Sequence, residues 1–294
     1  MTTPGTSASR ISRISGILVC PACRGALTSN GLNYECKVHG TFTVDELGRP
    51  FFINRKIFES KEGEHLSGIN WLKSFFKRYP KIYYTIWHVF CPVLMLKNGP
   101  NKMFRLLSSN ELVLDVGSGP ERLGDRFINL DVFPFPEVDI VADAEFLPFK
   151  DDSVEAIVSE SMIEHVPHPL IVAKEMSRVL KKGGILYVSA PFITPYHASP
   201  DDFNRWTTSG LAALFPDIEI IEKGVRSGPW SALLMFLAYW FGVVFSFGSR
   251  KAAPFLAHMF MLILGPFKFL DFIFSSFPGA EAVAAQLYIM GRKK

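Results

Sequence analysis

Five short apolar runs recur between residues 112 and 190, and an aspartate stands at or beside the end of each of the first three. Residues 112–116 carry Asp115 and lead directly into Gly117 and Gly119. Residues 127–131 end in Asp131, residues 138–143 end in Asp143, and the runs 156–160 and 185–190 follow. Between the last two, Ile171, Val172, Met176, Val179 and Leu180 share one helical face. Lys181, Lys182 and Gly183 then supply the cations and the glycine expected at a helix end. Short buried strands separated by helices predict an α/β fold with a parallel, doubly wound sheet. Ligands of such sheets sit beyond the carboxyl ends of the strands, which makes Asp115, Gly117, Gly119, Asp131 and Asp143 the candidate binding residues.

The spacing after the first run narrows the ligand. A dinucleotide fold needs a full helix there, its N-terminus facing the pyrophosphate. Only residues 117–126 separate the first two runs, too few for two turns and an ordinary helix. The third glycine of the dinucleotide fingerprint is also missing, since Pro120 and Glu121 follow Gly119. A phosphate-bearing cofactor is therefore disfavoured. Three carboxylates in order suit a ligand with an ammonium, a ribose diol and an amino-substituted base. S-adenosylmethionine has these groups and no phosphate.

These segments resemble a known family. Residues 113–120 (Val-Leu-Asp-Val-Gly-Ser-Gly-Pro), 129–131, 142–149 and 164–166 look like the successive motifs of class I S-adenosylmethionine-dependent methyltransferases. The type 11 branch fits in particular, including residues 178–184 before the fifth run. The resemblance covers about residues 110–215 and a closing strand. It implies a Rossmann-like sheet whose last two strands, 217–222 and 286–290, form an antiparallel pair. It also implies that Gly117 and Gly119 line the methionine side and that Asp115 reaches the amino group. Asp131 would hold the ribose hydroxyls and Asp143 the adenine amine, with Ala144 and Glu160 completing the cofactor set. The shortened first crossover departs from the family at its usual first helix and at part of the cofactor wall.

On the acceptor side, Glu164 and His165 follow the fourth run, and they read either as helix-capping polarity or as a cofactor or substrate contact. His197 lies close to Asp201 and Asp202 and is the candidate general base for an O- or N-nucleophile. A structural role in a loop over the site fits equally. Methyl transfer needs mainly alignment of nucleophile, methyl and leaving sulfur, so a dedicated base is not required.

Ahead of this core, Cys20, Cys23, Cys36 and His39 give the spacing C-x2-C-x12-C-x2-H. Three thiolates and an imidazole suit a closed tetrahedral Zn2+ site, in keeping with a reducing compartment. Asn30-Gly31 predicts a hairpin between the two halves. The segment is similar to zinc ribbons associated with methyltransferases, which implies a structural role or contact with a protein partner. The usual fourth ligand there is often cysteine, where this chain has His39. Cys91 reads as a buried thiol.

Composition divides the rest. Residues 1–16 read as a disordered polar tail without an apolar signal region, 17–55 as the ribbon, 56–110 as a basic-aromatic helical linker and 111–294 as the catalytic domain. Residues 65–110 contain no Asp or Glu, and Lys73, Lys77, Arg78 and Lys81 alternate with Trp71, Phe75, Phe76, Tyr79, Tyr83, Tyr84 and Trp87. Such a stretch fits an anionic lipid surface, single-stranded RNA or a core-packing helix pair. A net charge of +3 excludes a histone-like polycation, and 27 phenylalanines point to lipid or a large partner.

Residues 227–280 are an apolar insertion between the last two strands. Residues 227–249 are uncharged, and 252–267 are apolar but broken by Pro254 and Pro266, with Lys268 and Asp271 interrupting the pattern. Both ends of an insertion in one sheet lie on one side of any membrane. A re-entrant or interfacial hairpin on the cytoplasmic side follows, with a small-molecule or lipid-linked substrate. An RNA methyltransferase and a non-catalytic membrane scaffold remain as alternatives.

Overall fold

The computed structural model describes residues 7–53, 89–108, 111–198 and 201–294. The aromatic and basic residues singled out between Trp71 and Trp87 lie outside the described residues.

The described residues begin with a helix inside the segment predicted to be a disordered tail. In α1 (Ser7–Ile14), Ile11 and Ile14 are buried in the main core. Arg10 Nε donates to Asp139 Oδ1 at 2.9 Å. An i,i+3 pair of isoleucines among serines is too short a stripe to stand out in the sequence, and it gains its stability from the core it meets.

The ribbon follows as a three-stranded antiparallel sheet of β1 (Thr28–Ser29), β2 (Asn33–Cys36) and β3 (Gly40–Thr43). The predicted hairpin is there. Gly31 takes a left-handed φ of 83°, and Asn30 Oδ1 accepts from the backbone N–H groups of Leu32 and Asn33. Thr28 faces Glu35 and Ser29 faces Tyr34.

The main sheet has seven strands: β4 (Val113–Val116), β5 (Phe127–Asp131), β6 (Ile140–Val141), β7 (Val154–Glu160), β8 (Leu180–Pro191), β9 (Ile218–Ser227) and β10 (Gln286–Lys293). Their order is β6-β5-β4-β7-β8-β10-β9. The first five are parallel, and β10 runs antiparallel between β8 and β9. The sheet reverses its winding between β4 and β7, which is where such sheets bind ligands. No helix connects β4 to β5.

Helices cover both faces. On one, α2 (Asn98–Leu106) seats Met103 against Val113, Val158 and Tyr187. On the other, α3 (Pro169–Val179) buries Val172, Ala173, Met176 and Val179, and α4 (Thr208–Ala213) buries Leu211. The end of α3 differs from the sequence expectation. The helix passes directly into β8 at Leu180, and Gly183, with φ 74°, sits within that strand instead of capping the helix. Leu180 pairs with Val154 and Ile185 with Ala156, and residues 181–184 bulge between these two pairs.

Segments outside the sheet's seven strands occupy its β6 edge. Phe51 pairs with Val141, Phe52 N donates to Val141 O at 2.8 Å and Val141 N to Pro50 O at 3.0 Å. Val19 N bonds Pro148 O, and Lys150 N bonds Ile17 O.

Between β9 and β10 the insertion forms α5 (Pro229–Phe245), α6 (Ala252–Leu264), a 3-10 stretch (Gly265–Leu270) and α7 (Asp271–Phe274). The helices cross tightly: a Cβ on Gly242 would meet Ala257 Cβ at 2.8 Å. The two charges that break the apolar pattern turn inward. Asp271 is fully buried and accepts from Trp230 N, Ser231 N and Ser231 Oγ at 2.8, 2.9 and 2.6 Å, so it caps the start of α5 from the far end of the insertion. Lys268, also buried, donates to the Cys91 carbonyl at 2.8 Å. Cys91 itself is half-buried. The outer surface stays apolar, with Phe236 55%, Phe247 92%, Phe255 69% and Phe272 65% exposed. Residues Ala252–Phe274 are long and apolar enough to cross a membrane by length and composition, whereas α5 is shorter.

Candidate functional site

The loop after β4 turns back over its own strand and its neighbour. Gly117 and Gly119 both adopt left-handed backbone, φ 73° and 61°, a region that glycine enters without strain. Gly117 N and Ser118 N donate to Leu130 O on β5. A Cβ on Gly117 would lie 2.2 Å from Met162, so this position admits no side chain. Asp131 closes the loop: its Oδ2 accepts from Gly119 N at 2.9 Å and its Oδ1 from Phe133 N at 2.8 Å. Each oxygen keeps a lone pair for a ligand. Burial pushes the Asp131 carboxyl above the usual range, opposed by those backbone N–H groups.

A cleft of about 510 Å³ opens here. Gly117, Gly119, Asp131, Asp143, Ala144 and His165 line it, so the structure brings together six of the residues chosen from sequence. Two others stand apart. Asp115 is buried behind the loop and does not line the cleft; burial, with Glu160 and Asp131 nearby, holds its carboxyl well above the usual range. Glu160, expected beside the cofactor, is held by Arg226 through two bonds of 2.8 and 2.9 Å. The cleft wall there is made by Ser161 and Met162, and Ser161 takes a left-handed φ of 52°. Met162, Phe133 and Phe203 are wall residues that sequence reasoning missed, because an apolar residue in a loop carries no mark of its ligand.

The predicted acceptor-side residues do converge. His165 Nε2 and His197 Nε2 lie 3.7 and 3.9 Å from Glu164 Oε1, and the two imidazoles meet edge to face. Glu164 is fully buried. His165 Nδ1 is 2.6 Å from the Asp201 carbonyl and His197 Nδ1 is 3.1 Å from that of Pro195. The Glu164 carboxylate raises the pKa of His197, against the effect of burial. Asp202 accepts from Arg205 and from His197 N, and Arg205 holds it at a pKa of about 2. These contacts fix the loop that carries His197.

In the ribbon, the donor atoms of Cys20, Cys23, Cys36 and His39 gather within 4.8 Å of one another. Cys20 Sγ to His39 Nδ1 and Cys23 Sγ to Cys36 Sγ are both 3.6 Å, and Cys36 Sγ to His39 Nδ1 is 3.8 Å. Tetrahedral bonds of ~2.3 Å to sulfur place neighbouring donors ~3.6–3.8 Å apart, so the set fits zinc. Backbone N–H groups of Val38 and His39 lower the Cys36 thiol to about 6, which favours the thiolate that a metal needs.

Residues 114–188, the stretch that forms the glycine loop, the cleft and the core of the sheet, match the family model for a type 11 methyltransferase domain. This stretch resembles a methyltransferase domain. Among curated proteins, an uncharacterized methyltransferase of Mycobacterium tuberculosis (strain ATCC 25618 / H37Rv) is 34% identical over 96 residues, covering 26% of this chain and 38% of that protein. One of Mycobacterium leprae (strain TN) is 32% identical over 97 residues, covering 26% and 36%. The chain thus spans less than two-fifths of the length of these relatives. Among solved structures, a putative sarcosine dimethylglycine methyltransferase from Galdieria sulphuraria is similar at 14% identity and TM-score 0.45, over 73% of this chain and 97% of its own. A complex of a methyltransferase activator with a putative methyltransferase from Haloferax volcanii is similar at 16% identity and TM-score 0.43, over 75% and 95%. The match begins within β4 and ends within β8. The ribbon and the apolar hairpin both lie outside that match.

Proposed function

We propose that this protein transfers the methyl group of S-adenosylmethionine to a small-molecule or lipid-linked acceptor at a membrane surface. The observation that carries the cofactor reading is Asp131, a buried carboxylate tied by both oxygens to the loop at Gly119 and Phe133 and open to the cleft. A ribose diol donates to such a carboxylate. Asp143, held at Oδ1 by Glu145 N, stands one strand further along and receives the adenine amine. Gly117 and Gly119 let the methionine end approach the backbone. Asp115 acts from behind the loop, through water.

When bound, the cofactor supplies an electrophilic methyl. The chain's own part is to hold donor and acceptor in line and to exclude water. Glu164, His165 and His197 meet the acceptor beside the cleft, where its polar atom must be oriented and relieved of any proton.

Titration calorimetry tests this reading. S-adenosylmethionine binds the wild type, and Asp131→Ala weakens binding by about 1.5–3 kcal/mol, the value of a hydrogen bond to a charged group. Silence with S-adenosylmethionine alongside clear binding of a nicotinamide dinucleotide would overturn it. No heat with either would favour a non-catalytic scaffold.

The membrane part rests on the exposed phenylalanines of the hairpin, including Phe236, Phe247, Phe255 and Phe272. The hairpin enters one leaflet from the cytoplasmic side, where the methyl donor is made. Arg250 and Lys251, between α5 and α6, make a full crossing unfavourable. Flotation with anionic vesicles should carry the wild type and not a variant lacking residues 230–275. Equal flotation of both, or preferential binding to single-stranded RNA, would reject the lipid surface. The ribbon binds one Zn2+ through Cys20, Cys23, Cys36 and His39, and elemental analysis of folded protein far below one zinc per chain would reject that.

A further inference from the structure

Glu164 is fully buried, and neither of its carboxylate oxygens has a hydrogen-bond partner among the described residues. A buried carboxylate left in that state is strongly unfavourable unless a cation meets it. Two histidine Nε2 atoms lie 3.7 and 3.9 Å from its Oε1. Both distances are too long for a hydrogen bond.

The histidines explain the gap. A carbonyl oxygen only accepts, so His165 Nδ1 at 2.6 Å from Asp201 O and His197 Nδ1 at 3.1 Å from Pro195 O each carry the proton. A neutral ring protonated at Nδ1 presents a lone pair at Nε2. Arg205 Nη2 also lies 3.4 Å from His197 Nδ1, but it donates to Pro195 O at 3.0 Å and to Asp202 Oδ2 at 2.6 Å. With both rings neutral, three lone-pair atoms face one another, all within 4.8 Å. An ion bonded at ~2.1 Å to two such atoms holds them ~3.0–4.2 Å apart, and both measured separations fall inside that span. Imidazoles oriented by Nδ1–H bonds to carbonyls are the usual support of metal-binding histidines.

We infer that Glu164, His165 and His197 form a second cation site, distinct from the ribbon, that takes one divalent transition-metal ion through two nitrogens and one oxygen. This donor set suits zinc, cobalt, iron or manganese. His165 also lines the cofactor cleft, so an ion held there would lie beside the acceptor. An acceptor that binds through a hydroxyl or carboxylate oxygen is the class it selects; this last step rests on the methyltransferase reading, and the ion site does not. The ion would also tie the loop after β7 to the loop after β8, both of which line the cleft.

Cobalt(II) titration of the purified full-length chain separates the two sites. Ribbon occupancy gives thiolate-to-cobalt charge transfer in the near ultraviolet. The second site gives visible ligand-field absorption without it. Glu164→Gln and His197→Ala should each weaken the second signal at least tenfold and leave the first unchanged. Circular dichroism and the calorimetric response to S-adenosylmethionine confirm that each variant is folded. Absence of the second signal at millimolar cobalt, or its persistence in both variants, overturns the inference. Cobalt bound at the cluster in a protein that ignores S-adenosylmethionine would leave the ion site standing and remove the methyltransferase reading. Normal S-adenosylmethionine binding with no second ion would do the reverse.

Discussion

The two ends of the main sheet carry extra polypeptide of opposite character. At the β6 edge, residues 50–52 extend the pairing, Arg24 reaches Glu175 at 3.0 Å, and Phe52 packs with Tyr34 and Phe42 at ring separations of 5.7 and 5.2 Å. At the other end, α5 and α6 pack mainly on each other, and they leave aromatic residues such as Trp240 and Phe247 in the open. The ribbon is too small to bury a core of its own, and the hairpin buries only the small cluster of Met235, Ala238 and Met261. The ribbon offers four candidate metal ligands gathered at one point and an edge to pair with. The hairpin answers with two buried charges as pins and leaves an apolar outer face exposed.

The largest expected effect breaks the ribbon side. Metal binding contributes on the order of 10 kcal/mol to the folding of small zinc modules. Cys36→Ser, or strong chelation, should release residues 18–52 and expose the β6 edge. Hydrogen exchange would show protection lost there and kept in the hairpin. Protection lost equally at both ends would mean that the two appendages are not independent.

Next comes the pin of the hairpin. Asp271→Ala leaves Trp230 N and Ser231 N without their acceptor at the start of α5. The expected loss is about 2–4 kcal/mol, measured by denaturant unfolding. Zinc content should stay unchanged.

Between the two edges, Asp115 tests the centre of the sheet. Its folded-state pKa lies well above the unfolded value because of burial, with the charges of Glu160 and Asp131 adding. For such a group, stability is fully present below the unfolded pKa and is lost as pH rises through the folded pKa. Asp115→Asn should therefore raise the melting temperature of the ligand-free protein at neutral pH, flatten its dependence on pH and weaken S-adenosylmethionine binding. A lower melting temperature at neutral pH would show that Asp115 supports the fold as a carboxylate.

The smallest effect on folding is at the hairpin surface. Phe247 is 92% exposed, so Phe247→Ser should change stability by less than about 0.5 kcal/mol. Vesicle flotation should fall nonetheless. A large loss of stability would instead indicate that this face is covered by protein.

The sequence by itself determined the parts whose chemistry is local. Apolar runs ending in Asp131 and Asp143 can be read because a strand and the turn after it lie within one window. Cys20, Cys23, Cys36 and His39 can be read because a hairpin brings ligands at fixed spacing to one point, and the donor atoms do gather. Gly117 and Gly119 announce a backbone that only glycine follows easily. Tertiary structure alone decided the rest. Glu160 looked free for a ligand, but Arg226, 66 residues on, binds it. Asp271 looked like an interruption, yet it caps a helix 40 residues earlier. Gly183 had the mark of a helix cap, yet it lies in a bulge between the pairs that Leu180 and Ile185 make with β7. Glu164 and His197 meet only because β7 and β8 are adjacent and parallel and deliver their following loops to the same end of the sheet. A charge or a glycine states what a position can do; which partner it does it with is set by packing between segments far apart in the chain.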